Sequence, residues 1–318
     1  MQTHLSLFAL LLAPAAASPT QPGGHAGLLN TATEVFRFPN QTMLENVKLL
    51  PGGHLLITTL SSADVFTVDP EAKMPTAEKK LAGLLGDGVL AGIAPLGRGL
   101  YAISGGTLEP VPGNFSIYVV EVAGAEAEVI LIDTVPLPDG GVANGLVALP
   151  KRPHVVLGAD SFAGSILRID TRTKEVTTVL SDDALGHGNF TDLPIGVNGL
   201  LIRDGYLFFT NSRLGTFSKV RIDDEGHPVG SPRIIAVLPG HGATRAFDDF
   251  GMDREGNAYL AAQPSSLVKI TPSGQLTTVL GEGGTVTLDR PTAVALGRGA
   301  KEAYVVTLGG QVVRVGIN

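Results

Sequence analysis

Short apolar runs, each closed by a turn signal, recur along the whole chain: "HLLITTL", "GLYAISGG", "FSIYVVEV", "HVVLGAD", "SILRID", "YLFFTNS", "NAYLAAQ", "LVKITPSGQLTTVL" and "EAYVVTLGGQVVRV". Helical periodicity is scarce. Runs of this length, rich in Val, Ile, Tyr and Phe and bounded by Gly, Asp and Pro, predict strands and an all-β protein. The runs also repeat as a unit. The starts are "MLENVKLLPGGHLLITTL" from Met43, "LAGIAPLGRGLYAISGG" from Leu90, "ANGLVALPKRPHVVLGAD" from Ala143, "VNGLLIRDGYLFFTNS" from Val197, "DDFGMDREGNAYLAAQ" from Asp248 and "RPTAVALGRGAKEAYVVT" from Arg290. A spacing of about 40–55 residues suits a propeller blade of four short strands. The expectation is a single six-bladed β-propeller over 32–318. Residues 32–38, "ATEVFRF", would supply the outer strand that closes the ring and removes a free sheet edge. A pair of β-sandwiches is the alternative; six similar units weigh against it.

Composition narrows the classes. Hydrophobic residues make up 44% of the chain and charged ones 17%, so a large core is available. Gly 41 and Pro 21 supply many tight turns. The net charge of -7, with no Lys/Arg block, argues against nucleic acid as a partner, and 5% aromatic content offers no stacking platform for bases. "HLSLFALLLAPAAASP" at the N-terminus has the apolar run and small-residue cleavage pattern of a signal peptide, which predicts a leader over 1–17, an extension over 18–31 and a secretory or extracellular location. The run is shorter than the roughly 20 apolar residues a membrane span needs, so no membrane insertion is expected. Sequons at Asn40, Asn114 and Asn189 are candidate glycosylation sites. Cys is absent, which leaves no disulfide, thiolate nucleophile or Cys-bound zinc.

"AFDDFGMDREGNAYL" raises a chemical question. Asp248 and Asp249 stand directly before a strand, where a carboxylate needs water, a partner or a cation. In a propeller, equivalent residues of different blades converge on the axis. The unit starts would then gather Glu45 and Asn46, Asn144, Asn198, and Asp248 or Asp249. Two carboxylates and two amide oxygens form a hard-oxygen cluster that suits Ca²⁺, or Mg²⁺ with stricter geometry. The other reading makes the acids turn caps and the Asn-Gly pairs ordinary turns. Arg245 either donates to a substrate oxygen or pairs with one of the aspartates. His187 and His241, in Gly-flanked loops, are candidate general bases or simply solvated. Ser161 has neither an elbow context nor a neighbouring His, so a serine hydrolase triad is not expected.

The Glu, Asn, Asn-Gly-Leu and Asp pattern, with "VNGLLIRDGYLFFTNS" and "FDDFGMDREGNAYLAA", resembles the SMP-30/gluconolactonase/LRE-like six-bladed propellers over 32–318. The resemblance implies a divalent metal held by Glu45, Asn144, Asn198 and Asp248, with one acid assisting lactone or ester hydrolysis. Registers from Asp253 and from Glu255-Gly256 point to Asp248 and Asp249 respectively. The chain departs from that pattern in "GVANGL". Val142 stands where sugar-lactone members carry an Arg, and the Asp between Asn and Gly is missing. Without an Arg fork the rim of Val142, Ala143 and Leu146 suits an apolar ligand. "MLENVKLLPGGHLLITTL" and "NGLVALPKRPHVVLGADSFAGSILRID" resemble a fungal secreted branch that includes hetero-Diels–Alderases of tropolone–sesquiterpenoid biosynthesis. That resemblance implies cycloaddition of a quinone methide to a terpene alkene, with small apolar substrates and no required cofactor. Three functions remain open: such a pericyclase, a Ca²⁺-dependent lactonase or esterase, and a non-catalytic binding propeller. On the first, Asp248, Asp249, Arg245 and Glu45 are the candidate catalytic groups, and Asn46, Val142, Asn144, Asn198, Thr292 and His241 the candidate pocket.

Overall fold

The apolar runs become strands, and the strands sort into six antiparallel sheets of four. This computed structural model describes residues 31–39, 42–81, 88–108, 113–124, 127–138, 141–188 and 194–317. Within each sheet the strands run outward in chain order. The innermost are Leu44–Leu49, Val89–Gly97, Ala143–Leu149, Val197–Arg203, Phe247–Met252 and Pro291–Leu296, which are blades one to six. Each innermost strand touches those of its two neighbours, and the sixth touches the first. The protein is therefore a six-bladed β-propeller. Ala32–Arg37 pairs antiparallel with Gln311–Gly316 and forms the outer strand of blade six, so the ring is closed by the strand expected to close it. Among the described residues the only helical element is the 3-10 turn Arg298–Ala300, and no helix is long and apolar enough to cross a membrane. The signal peptide, Asn40 and Asn189 lie outside the described residues. Asn114 is exposed, near the start of Gly113–Ala123.

The core lies in six seams between blades. One apolar cluster fills each seam: Leu56, Ile93 and Val120 between blades one and two, for example, and Tyr259, Val305 and Val313 between five and six. A strand near the axis is covered on both faces, so its sequence reads as a continuous apolar run. Leu55–Thr59, "LLITT", is buried throughout. An outer strand meets solvent, and Ala77–Leu81 reads "AEKKL".

Every innermost strand breaks its ladder at the same place. In blade one Leu44 pairs with Thr59 and Val47 with Ile57, so Glu45 and Asn46 together face Thr58. The same bulge sets Ala91-Gly92, Asn144-Gly145, Asn198-Gly199 and Asp248-Asp249 against single residues, and a shift in blade six leaves Thr292 unpaired. A bulge frees backbone groups that need other partners. Hydroxyls supply them. Thr58 Oγ1 accepts from Asn46 N–H at 3.2 Å and donates to Ala91 O at 2.6 Å, across the seam. Thr210 Oγ1 accepts from Gly199 N–H and donates to Asp248 O, each at 2.8 Å. Ser104 to Asn144 O, Ser161 to Val197 O and Thr292 to Leu44 O make the same crossing elsewhere. The Asn-Gly pairs are thus strand bulges rather than turns. Glycine is required by close approach: a Cβ at Gly145 would overlap Asn198 O, and one at Gly92 would overlap Asn144 O.

Thr210→Val keeps the shape of the side chain but leaves a buried N–H and a buried carbonyl unpartnered. It should cost about 1–3 kcal/mol in urea unfolding. Thr277→Val, on the exposed face of an outer strand, should stay within about 0.5 kcal/mol.

Candidate functional site

Adjacent strand residues face opposite ways. At each bulge this sorts the pair. The first residues of all six, Glu45, Ala91, Asn144, Asn198, Asp248 and Thr292, line one axial pocket. The second residues do not. Asp249 turns away from the pocket. Its Oδ2 accepts from Asn46 Nδ2 at 2.7 Å, its Oδ1 accepts from Phe250 N–H at 2.8 Å, and the Lys48 ammonium lies 3.7 Å off. Gly199 is glycine because a Cβ there would meet Asp249. The ambiguous register between the two aspartates thus resolves in space: Asp248 forms pocket wall, and Asp249 bridges to blade one behind it. Asn46 Oδ1 is buried without a hydrogen-bond partner.

The pocket lies on the axis and is lined by residues of all six blades. Apolar side chains dominate one side: Leu60, Val89, Leu108, Phe115, Val142 and Phe162. Ser212, Gln263 and Arg290 add polar groups elsewhere in the wall. Gln263 Nε2 donates to Asp248 Oδ2 at 3.1 Å, and Asn198 Nδ2 donates to Ser212 Oγ at 3.0 Å. Burial first, then the charges of Asp248 and Asp249, push the Glu45 carboxyl well above the usual carboxylate range. Burial and the Asp249 charge push Asp248 up to about 7, against the pull of the Gln263 and Asn198 amides. Both shifts favour the protonated carboxyl over the carboxylate.

The other expected residues fall as follows. Val142 is buried and lines the pocket. Thr292 lines it too, although its hydroxyl serves Leu44 O and Val306 O. Arg245 is exposed in the loop before blade five and is not part of the wall; the cation beside the acid pair is Lys48. His241 is exposed, with Nδ1 3.1 Å from Leu238 O, and no His is among the described residues lining the pocket. Ser161 lines the pocket with its hydroxyl spent on Val197 O. Among the lining residues not anticipated are Phe115, Phe162, Gln263 and Arg290. Phe115 lies within the strand Gly113–Ala123 and the others just after or before strands, in segments where composition alone marks nothing. Arg290 has the one visible signal, a charged residue directly before the sixth unit; its φ of 55° and its bond from Nε to Asp289 Oδ1 at 3.2 Å set its side chain.

A divalent cation fits the donor set. Glu45, Asp248, Asn144 and Asn198 are hard oxygen donors on four blades of one pocket, and the mutual repulsion of the two acids is the charge a cation would offset. Among the described residues no group of three or more His, Cys, Asp or Glu is placed to hold a metal, so any such ion would depend on both amides.

No family model matches the chain. Two curated relatives do. A protein of Phoma sp, named as a candidate hetero-Diels–Alderase, is 26% identical over 99% of this chain and 97% of its own. A Sarocladium schorii protein of the same designation, asR5, is 23% identical over 88% and 78%. Among solved structures, a gluconolactonase from Xanthomonas campestris superposes with a TM-score of 0.64 at 13% identity, covering 91% of this chain and 90% of that one. Both parts of the resemblance expected from the sequence hold: whole-length similarity to the hetero-Diels–Alderase branch and the propeller fold of the gluconolactonases.

Raised carboxyl pKa values have a sign. The fold holds the Asp248 proton more tightly than the unfolded chain does. The stability this contributes is full below about pH 4, the ordinary range of the group, and is lost as pH rises through about 7. In EDTA-containing buffer the thermal midpoint should fall between pH 5 and pH 8. Asp248→Asn should flatten that slope; an unchanged slope would remove Asp248 as its source.

Proposed function

We propose that the protein is an enzyme of secondary metabolism that holds an oxygen-bearing heterodiene and an alkene side by side in the axial pocket and accelerates their cycloaddition. The observation that carries this reading is the pocket itself. Two buried carboxyl groups, Glu45 and Asp248, line a largely apolar pocket on the axis. The full-length similarity to proteins designated hetero-Diels–Alderases supports it.

In such a reaction one C–C and one C–O bond form. The alkene π bond and the C=C and C=O π bonds of the heterodiene are consumed, and one new C=C bond remains. Atoms and electrons balance between the two substrates, so the protein supplies position and electrostatics. Holding both partners in a near-attack pose removes much of the entropic barrier. Apolar side chains exclude the water that would otherwise add to a quinone methide. The heterodiene oxygen gains negative charge as the bonds form, and on this reading a protonated Glu45 carboxyl, which lines the pocket, is the group that stabilises it. Asp248, held by Gln263 and Asn198, fixes the other side of the ring. The secretory location expected from the N-terminal leader belongs to the same reading; the exposed Asn114 sequon supports it.

One observation favours a second reading. Glu45, Asn144, Asn198 and Asp248 line one pocket as four oxygen donors. They would hold Ca²⁺, which when bound supplies Lewis acidity toward a lactone carbonyl. Asp248 and Glu45 would then be ionised ligands instead of neutral donors.

The deciding experiment uses the EDTA-dialysed protein, a quinone methide released in solution from an ortho-hydroxybenzyl acetate, and a cyclic alkene. Cycloadduct should form faster than without protein, and added Ca²⁺ should not raise the rate. Glu45→Leu, which removes the donor, should lower kcat about 100- to 1,000-fold with little change in KM, the loss typical of one oxyanion donor. A rate equal to background, together with lactone hydrolysis that Ca²⁺ restores, would overturn the cycloaddition reading.

A further inference from the structure

The two sides of the pocket differ in chemistry, and the division follows the blades. Leu60 comes from blade one, Val89, Leu108 and Phe115 from blade two, and Val142 and Phe162 from blade three. Five of these six belong to the core cluster that fills the seam between blades two and three, and Phe162 packs against it. That side is the exposed face of the core itself; beyond the axial Glu45 and Asn144 its polar side chain is Ser161, whose hydroxyl is spent on Val197 O. Blades four to six supply the opposite side, where Ser212, Gln263 and Arg290 join the axial Asn198, Asp248 and Thr292 among apolar neighbours such as Ile195, Phe247 and Leu308. Two pairs among them are already joined, Gln263 to Asp248 at 3.1 Å and Asn198 to Ser212 at 3.0 Å, so their orientations are set before a ligand enters.

We infer that the pocket has two subsites: a hydrocarbon ring system lies against Leu60, Leu108, Phe115 and Phe162, and the oxygen-bearing partner lies toward Asp248, Gln263 and Arg290. The assignment rests on the cycloaddition reading above and goes beyond it by stating which partner sits where. A hydrocarbon placed on the polar side would strip those groups of water without replacing their hydrogen bonds. An oxygenated ring placed on the apolar side would leave its own acceptors unpaired. Both mismatches act in the same direction. The orientation has a chemical consequence: the new C–O bond forms on the blade five and six side, and the new C–C bond nearer blades two and three. One face of the alkene is thereby presented to the heterodiene, so a single product isomer is expected.

Two probes test the assignment separately by equilibrium dialysis. Cyclododecene stands for the hydrocarbon partner, and 2-hydroxybenzyl alcohol, the hydrated form of the simplest ortho-quinone methide, for the oxygenated one. Phe162→Asn changes the apolar side at a half-buried turn position where folding tolerates it. Gln263→Leu changes the polar side. Circular dichroism of both variants should match the wild type. Phe162→Asn should weaken cyclododecene at least fivefold and leave 2-hydroxybenzyl alcohol within twofold; Gln263→Leu should do the reverse. Variants that shift both probes alike, or in the opposite pairing, overturn the two subsites even if cycloadduct forms. Probes that sort as expected on a protein that makes no cycloadduct above background leave the subsites standing and remove the cycloaddition reading. Failure of both probes to bind the wild type overturns both.

Discussion

The break in the inner-strand ladder is the constraint on which this molecule depends. An unbroken innermost strand would bond every residue to the second strand, and its alternating side chains would be committed to the two seams. The bulge releases one pair per blade from that commitment in five blades, and one residue in the sixth. Its first residue then lines the axial pocket and its second does not; Asn46 and Asp249, the second residues of blades one and five, bond each other behind the wall. The freed backbone groups are buried, so each needs a partner. The hydroxyls of Thr58, Ser104, Ser161, Thr210 and Thr292 provide one, and in doing so tie one blade to the next. The device that opens the site is therefore also the device that fastens the ring.

The same geometry explains why two adjacent aspartates are tolerated. They do not share an environment. Asp249 is satisfied by an amide, a backbone N–H and a nearby ammonium. Asp248 instead sits in the pocket wall, where burial and the neighbouring charge hold its proton to about pH 7. A charge buried without a partner is costly, and a carboxyl avoids that cost by staying neutral. Glu45, one blade beyond the closure, follows the same logic more strongly.

Rigidity comes from the seams. Six apolar clusters lock neighbouring blades together, and the N-terminal strand completes blade six. Ligand-facing residues thus sit on the ends of strands whose flanks are packed, which is the condition for holding two substrates at reacting distance. The apolar half of the pocket needs no separate construction. It is the place where the seam between blades two and three reaches the axis without being covered.

The sequence alone determined the all-β class, the six units, their starts and the closing strand. These follow from short-range rules: alternation, run length and turn residues act within one strand or one hairpin, and repetition makes them visible. It also marked Glu45, Asn46, Asn144, Asn198 and the Asp248–Asp249 pair as converging on the axis, because equivalent positions of a repeat converge; of these, Asn46 and Asp249 do not line the pocket. It did not separate Asp248 from Asp249, since a bulge that sends neighbours in opposite directions leaves no trace in composition. Arg245 and His241 drew attention by lying close to the acids along the chain, yet both are exposed, while Arg290 and Gln263 line the pocket from another blade and another loop. Phe115 and Phe162 read as ordinary core residues, and nothing local distinguishes a buried ring that faces a seam from one that faces a cavity. Which residues share the pocket, and which acids stay protonated in it, was decided only when six blades closed on one axis, because distance across that axis and loss of water there are properties of the closed ring and not of any segment of it.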